Sequence, residues 1–314
     1  RIIINGTDMY IAESTKISKI DFSATPPVTT DVATELNFPS GFALNGTDLY
    51  FSQFGEGKVS KIDLTANPLV TTDVVTGLNS PDGLILNGTE LYIAEYDGNK
   101  ISKIDLTATP PVATDIVTGL NNPSALVLNG TDLYIAEYNG DKISKIDLTA
   151  NPLVATDIVT GLNSPNALIL NGTDLYIAEY DGNKISKINL TTTPPVATDI
   201  VTGLSSPSGI ALNGNDLYIA EYDWNKISKF NLNSISVDDI SVINSLNVYP
   251  NPSSDHIQIS GLIKKSNYKL HTILGKEVKS GSISNNEVID IRNFTNGVYF
   301  LKLDNGSELK LVKK

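Results

Sequence analysis

The sequence predicts an all-β chain: a six-bladed β-propeller with four-stranded blades of about 42 residues each, followed by a small Ig-like β-sandwich. Three observations predict it. Asn-Gly recurs at Asn5, Asn45, Asn87, Asn129, Asn171 and Asn213, at spacings of 40, 42, 42, 42 and 42 residues. Each interval holds four short β-prone runs separated by turn residues, the strand count of a propeller blade. After Leu232 that rhythm stops, and short alternating runs separated by turn residues, the pattern of a small sandwich, continue to Lys314.

One unit, 81–121, reads PDGLILNGTELYIAEYDGNKISKIDLTATPPVATDIVTGLN and justifies the elements in order. Strand a is expected over 83–86, and Asn87-Gly88 supplies the positive-φ positions of a tight hairpin into strand b, 91–95. Asp97-Gly98-Asn99 turns the chain into strand c, 100–106. Thr107-Ala108-Thr109-Pro110-Pro111 connects to strand d, 113–118, and prolines without an N–H place that strand at the outer rim. A helical solenoid repeat would need apolar positions at a period of about 3.6 residues, and none recurs. The small and apolar residues Ile93, Ala94, Ile101, Ser102 and Ile104 are expected to pack against neighbouring blades, and closure of a ring buries them. One seam stays open. Residues 1–4 begin within strand a, and the sixth unit, 208–232, has no good copy of the rim strand ATDIVTGL. Either 237–243 or a segment before Arg1 is the expected substitute, and a lost seventh blade is the alternative.

Composition bounds the function classes. With 23 Lys+Arg against 35 Asp+Glu, a net charge of -12, nucleic acid and anionic membranes are poor partners, because phosphate binding depends on clustered cations. Residues 245–314 hold 10 Lys+Arg and 6 Asp+Glu, leaving 13 and 29 in 1–244, so two domains of opposite charge are expected. The division is a propeller over 1–232, a linker over 233–244 and a tail domain over 245–314. No apolar run approaches the roughly 20 residues of a membrane helix, and no membrane span is expected. The chain has no Cys, which excludes thiol nucleophiles and thiolate metal sites, and both histidines, His256 and His271, lie in the tail. Arg1 stands in an apolar stretch with neither an initiator Met nor a signal-peptide core, so the chain reads as a fragment or a mature form.

The candidate ligand-binding residues are repeated ones. The b–c loops carry Glu95-Tyr96, Glu137-Tyr138, Glu179-Tyr180 and Glu221-Tyr222, with Gln53-Phe54 in the second unit and Glu13-Ser14 in the first. Aromatic rings beside carboxylates suit the stacking of a sugar or the holding of a cation. The other reading pairs each Glu with a nearby lysine, Lys100, Lys142, Lys184 or Lys226, and lays each Tyr over a blade edge. Asn-Gly-Thr, a glycosylation sequon at five positions, is explained by hairpin geometry. No singular cluster of carboxylates stands out, so no catalytic residue, metal or cofactor is assigned. Asp82 and Trp224 are single departures from the repeat.

The pattern P-x-G/A-(apolar)-N-G-x-x-L-Y-I-A-E-Y-x-G-N-K-I-S-K-I-D resembles the NHL-type propeller repeat across 1–232, with Glu95, Asn99 and Lys100 in that family's acidic, Asn and basic places. The resemblance implies a binding or interaction scaffold for an unknown extracellular ligand, carbohydrate or protein. Lactonase-type six-bladed propellers hold a divalent metal, so a metal-dependent hydrolase is the enzymatic alternative, and a structural adhesion element is the third. In the tail, Tyr249-Pro250-Asn251-Pro252, the turn at Gly275, the strand carrying Gly297 and Tyr299, and the basic pair Lys313-Lys314 resemble the type A C-terminal sorting domain of the type IX (Por) secretion system. That resemblance implies handling by the type IX machinery, export across a Gram-negative outer membrane, removal of the tail, and a secreted or surface-attached propeller.

Overall fold

The computed structural model describes residues 1–233, 247–260, 262, 265–273, 275–304 and 308–314. It divides into two compact units, Arg1–Ile240 and Ser241–Lys314. The expected 237–243 rim strand and most of the expected linker fall outside the described residues.

The first unit is a series of antiparallel meanders. In the third sheet the strands are Pro81–Asn87, Glu90–Glu95, Lys100–Asp105 and Thr114–Thr118, paired in chain order. Five sheets have four such strands, and the sixth has three among the described residues: Pro207–Asn213, Asp216–Glu221 and Lys226–Asn231. Strand a is longer than expected because Pro81 still pairs with Glu95, across a bulge after Leu84–Ile93. The hairpin also differs in detail. Asn87 pairs with Glu90, so Gly88 and Thr89 are the turn residues, and of the two only Gly88 has positive φ (63°). That is the type II′ pattern, with glycine at the first central position, and the asparagine ends the strand instead of supplying a left-handed residue. Asn45, Asn129, Asn171 and Asn213 end strand a in the same way.

Successive sheets stack face on face, which explains why strand b is apolar on both sides. Leu91 and Ile93 pack toward the second sheet with Tyr50 and Val59, while Tyr92 and Ala94 pack toward the fourth with Leu133 and Ile135. Burying each Leu or Ile contributes about 1.5–3 kcal/mol, so the stack is held mainly by these interlayers. The same contact joins the last sheet to the first: Ile2 and Met9 cluster with Ala211 and Ala220, and the rings of Phe22 and Tyr218 stack at 5.3 Å. A Cβ on Gly209 would lie 2.8 Å from the Cα of Arg1, so this close approach needs glycine. Arg1 and Ile2–Asn5 thus complete an inner strand at the seam that the sequence left open.

The second unit holds two antiparallel sheets. One pairs Asn247–Tyr249, His256–Ser260 and Val288–Asp290, and the other orders Glu277–Ile283, Ser266–Thr272, Gly297–Leu303 and Glu308–Lys313. Both bury into one core that includes Ile257, Leu270, Ile291, Leu301 and Leu311, the arrangement of a small sandwich.

Candidate binding face

The four candidate glutamates end strand b, and the stack buries them. Glu95, Glu137, Glu179 and Glu221 are no more than 2% exposed. A buried carboxylate must be satisfied, and each one is. One oxygen of Glu137 accepts from the backbone N–H of Asn121 at 2.8 Å, on the connection that arrives from the preceding sheet; the other accepts from the Ser144 hydroxyl and lies 3.5 Å from Lys142 Nζ. The set is repeated as Glu95 with Asn79 and Ser102, Glu179 with Asn163 and Ser186, and Glu221 with Ser205 and Ser228. Three of the lysines reach further to a rim-strand aspartate, Lys100 to Asp115, Lys142 to Asp157 and Lys184 to Asp199, at 2.7–2.8 Å, while Lys226 meets Glu221 at 3.1 Å. The carboxylates therefore tie sheets together and do not open onto solvent. The second sheet varies the theme: Gln53 Nε2 donates to Ser60, whose hydroxyl donates to Asp73.

The tyrosines that follow turn outward onto the face formed by the b–c loops and the d–a connections. Tyr96, Tyr138, Tyr180 and Tyr222 each donate a backbone N–H to the carbonyl of the residue before the proline that opens their own sheet, Ser80, Asn122, Ser164 or Ser206. Their rings form a continuous arc with Phe54, at centroid separations of 5.7, 5.9, 6.0 and 6.3 Å. Burial pushes the Tyr96 phenol up to about 12, with smaller contributions from Tyr138 and the carboxylates of Asp82, Asp97 and Asp181, so it stays a neutral donor. Tyr138 and Tyr180 shift upward for the same first reason. The sequence reading did not single out Phe38. It is 57% exposed, adopts φ 49° where the other repeats place Ser or Asn, and accepts from the Phe54 N–H through its carbonyl. Comparing the repeats column by column would have found it.

At the axis the Arg1 guanidinium is held by the Asp82 carboxylate at 2.7 Å, by the carbonyls of Ser124 and Ser208 at 3.0 Å each, and by the Asn166 carbonyl. Ser40 donates to the other Asp82 oxygen. Five sheets beside its own thereby converge on or beside one side chain, and the single departure Asp82 supplies its counter-charge. Among the described residues no three His, Asp or Glu side chains come together to hold a metal ion.

In the tail, Asn251 clamps the last strand: its Nδ2 donates to the Lys310 carbonyl at 2.8 Å and its Oδ1 accepts from the Val312 N–H at 2.9 Å. Tyr249 donates to Asn286 Oδ1, Pro252 precedes Ser253, whose N–H donates to Val312, and Tyr299 donates to the Thr295 carbonyl. Pro250 lies between Tyr249 and Asn251. Gly275 takes φ 81° in the turn after Thr272, and Gly297 opens the strand that pairs with Lys313. Lys313 is buried and Lys314 donates its backbone N–H to Ser253.

Residues 247–314 match the family described as a secretion system C-terminal sorting domain. No curated protein matches the chain. Among solved structures, one described as the crystal structure of a nidogen/laminin complex is similar with a TM-score of 0.63 at 19% identity, covering 72% of this chain and 90% of that one. Another, hydrazine synthase of Kuenenia stuttgartiensis, is similar with a TM-score of 0.54 at 16% identity over 76% and 95%. At such identities the likeness carries the propeller-like fold alone. The tail is a type IX sorting domain, so the protein is exported, to the medium or to the cell surface.

Proposed function

We propose that this chain is a six-bladed, NHL-like propeller serving as an extracellular binding scaffold of a Gram-negative bacterium, delivered by an Ig-like sorting tail that is removed on export. The observation that carries the reading is the aromatic arc. The first sheet closes its b–c loop with Ser14 where the others have an aromatic ring, so the fold itself does not need that ring. An exposed Phe38 in a left-handed conformation points the same way, since a bulky residue there costs strain that packing does not repay. The buried glutamates support the face from beneath, and the tyrosines present it.

Two measurements test the reading. Deletion of 245–314 should abolish export while the remaining 1–244 folds. Screening the secreted chain against glycan and peptide arrays should find ligands whose binding is lost in a Tyr180→Ala, Tyr222→Ala double variant. Binding that survives the loss of both rings would place the site elsewhere.

A further inference from the structure

We infer that this face docks a cationic peptide segment that presents arginine or lysine side chains to the aromatic arc, an inference that rests on the scaffold reading above. Charge is the first ground. Asp97, Asp141, Asp181 and Asp223 are exposed on the b–c loops, and among the described residues none of them forms an ion pair. Hydroxyls hold three of them in place: Ser80 on Asp97, Ser164 on Asp181 and Ser206 on Asp223, at 2.5–2.6 Å. A hydroxyl orients a carboxylate and leaves its charge whole. At the opposite ends of the same sheets the pattern reverses, and Glu90, Asp132, Asp174 and Asp216 each meet a lysine at 2.5–3.0 Å. Three of the lysines that open strand c, Lys100, Lys142 and Lys184, turn to rim-strand aspartates, while Lys58 meets Glu56 and Lys226 meets the buried Glu221, so none of them pairs with the four exposed aspartates.

The face already holds both kinds of cation with its own side chains. Lys226 Nζ sits 4.1 Å from the centroid of Trp224, which is 52% exposed. The Arg1 guanidinium is seated by Asp82, and Asp82 follows Pro81, the partner of Glu95, so that seat lies one residue below the arc. Neighbouring rings are inclined by 48–62° to one another and a cation needs the face of only one, so it is the unneutralised carboxylates beside the rings that favour a cation over a neutral sugar.

The test is calorimetry on the full chain with a short arginine-rich peptide, its citrulline counterpart and a neutral oligosaccharide. The arginine peptide should bind, more weakly as salt rises, and the citrulline peptide should not. Tyr222→Ala, at a ring 57% exposed and so safe for folding, and Tyr180→Ala should each weaken binding on the order of two- to fivefold. Asp223→Asn should weaken it as well, while Asp132→Asn, which removes the same charge at the opposite end of a sheet, should leave it unchanged. An equal loss with Asp132→Asn would reduce the effect to net charge and overturn the site. Oligosaccharide binding that disappears in Tyr222→Ala, with no peptide binding, would overturn the cationic class and keep the scaffold. Binding of neither probe would overturn the inference.

Discussion

The third to sixth sheets each join strands b and c by a carboxylate and a lysine at both ends, and the two ends could hardly differ more in consequence. In the fourth sheet, Glu137 and Lys142 meet beneath the aromatic face, with Glu137 2% exposed; Asp132 and Lys145 meet at the hairpin end, 27% and 30% exposed. The inner carboxylate also accepts from Asn121, on the connection from the preceding sheet, while the outer one bonds only within its own. Residue type and strand pairing are alike at the two ends. What differs is burial and the presence of a third partner in another layer, and those decide whether a pair holds the stack or decorates it.

The sharpest break of that comparison is Glu137→Ala. It would leave the Asn121 N–H and one side of Lys142 without an acceptor in a buried place, and the Ser144 hydroxyl with only the longer contact to Asp157 at 3.3 Å, for a loss of about 3 kcal/mol. In a unit of this size that lowers the melting temperature by roughly 6–12 °C, read by thermal unfolding of the first unit. A loss under about 1 kcal/mol would mean that the carboxylate is not a tie between layers. Glu137→Gln should cost less, about 1 kcal/mol, because the second sheet already lives with Gln53 by reversing the hydroxyl so that Ser60 donates to Asp73. If Ser144 cannot reverse toward Asp157, the two substitutions will cost the same.

Much of this architecture was legible in the chain, and the physical reasons mark where legibility stopped. Asn-Gly and the paired prolines act locally, so four strands per unit could be read directly, to within two residues at strand ends. The burial of the glutamates could not. A strand covered on both faces loses the period-2 signal, and Leu91 to Glu95 are buried without alternation, so nothing local tells Glu95 apart from a surface residue. The Arg1 seat depends on closure between the first and sixth sheets, with partners as far along the chain as Asn166 and Ser208, and no local pattern encodes such a meeting. The arc of tyrosines lay between these cases: the repeat announced the residues, and only ring spacing showed that they touch.

An acid and alkaline titration sharpens the comparison through the rim aspartates. Hydrogen bonds from Lys100, Lys142 and Lys184 hold Asp115, Asp157 and Asp199 below their ordinary value of 3.8, and the lysines are raised above 10.5 by the same bonds. A depressed carboxyl stabilises the fold above its unfolded value and loses that contribution as pH falls through the folded one. A raised lysine keeps its contribution below the unfolded value and loses it as pH climbs past the folded one. Stability should therefore be flat between these limits and fall below pH 3.8 and above pH 10.5. Because the aspartates are about half exposed, solvent screens each pair and the steps should be modest. A melting temperature that slopes through neutral pH would point to a different titrating group.

The smallest effect belongs to Asp132→Asn. Its carboxylate lies 3.0 Å from Lys145 Nζ, both side chains are partly in water, and Asn retains an oxygen able to accept from the lysine. What is removed is a screened charge interaction of about 0.2–1 kcal/mol. The expected loss sits at the lower end of that range and should vanish at high salt, since the Debye length at 1 M is about 3 Å. A double-mutant cycle with Lys145→Gln isolates the pair, and the same cycle on Glu137 and Lys142 supplies the inner counterpart. Coupling several times larger for the inner pair, and insensitive to salt, upholds burial as the deciding variable. Equal couplings would mean that the two ends differ through the Asn121 hydrogen bond alone, and the inner lysine would then serve Asp157 more than Glu137.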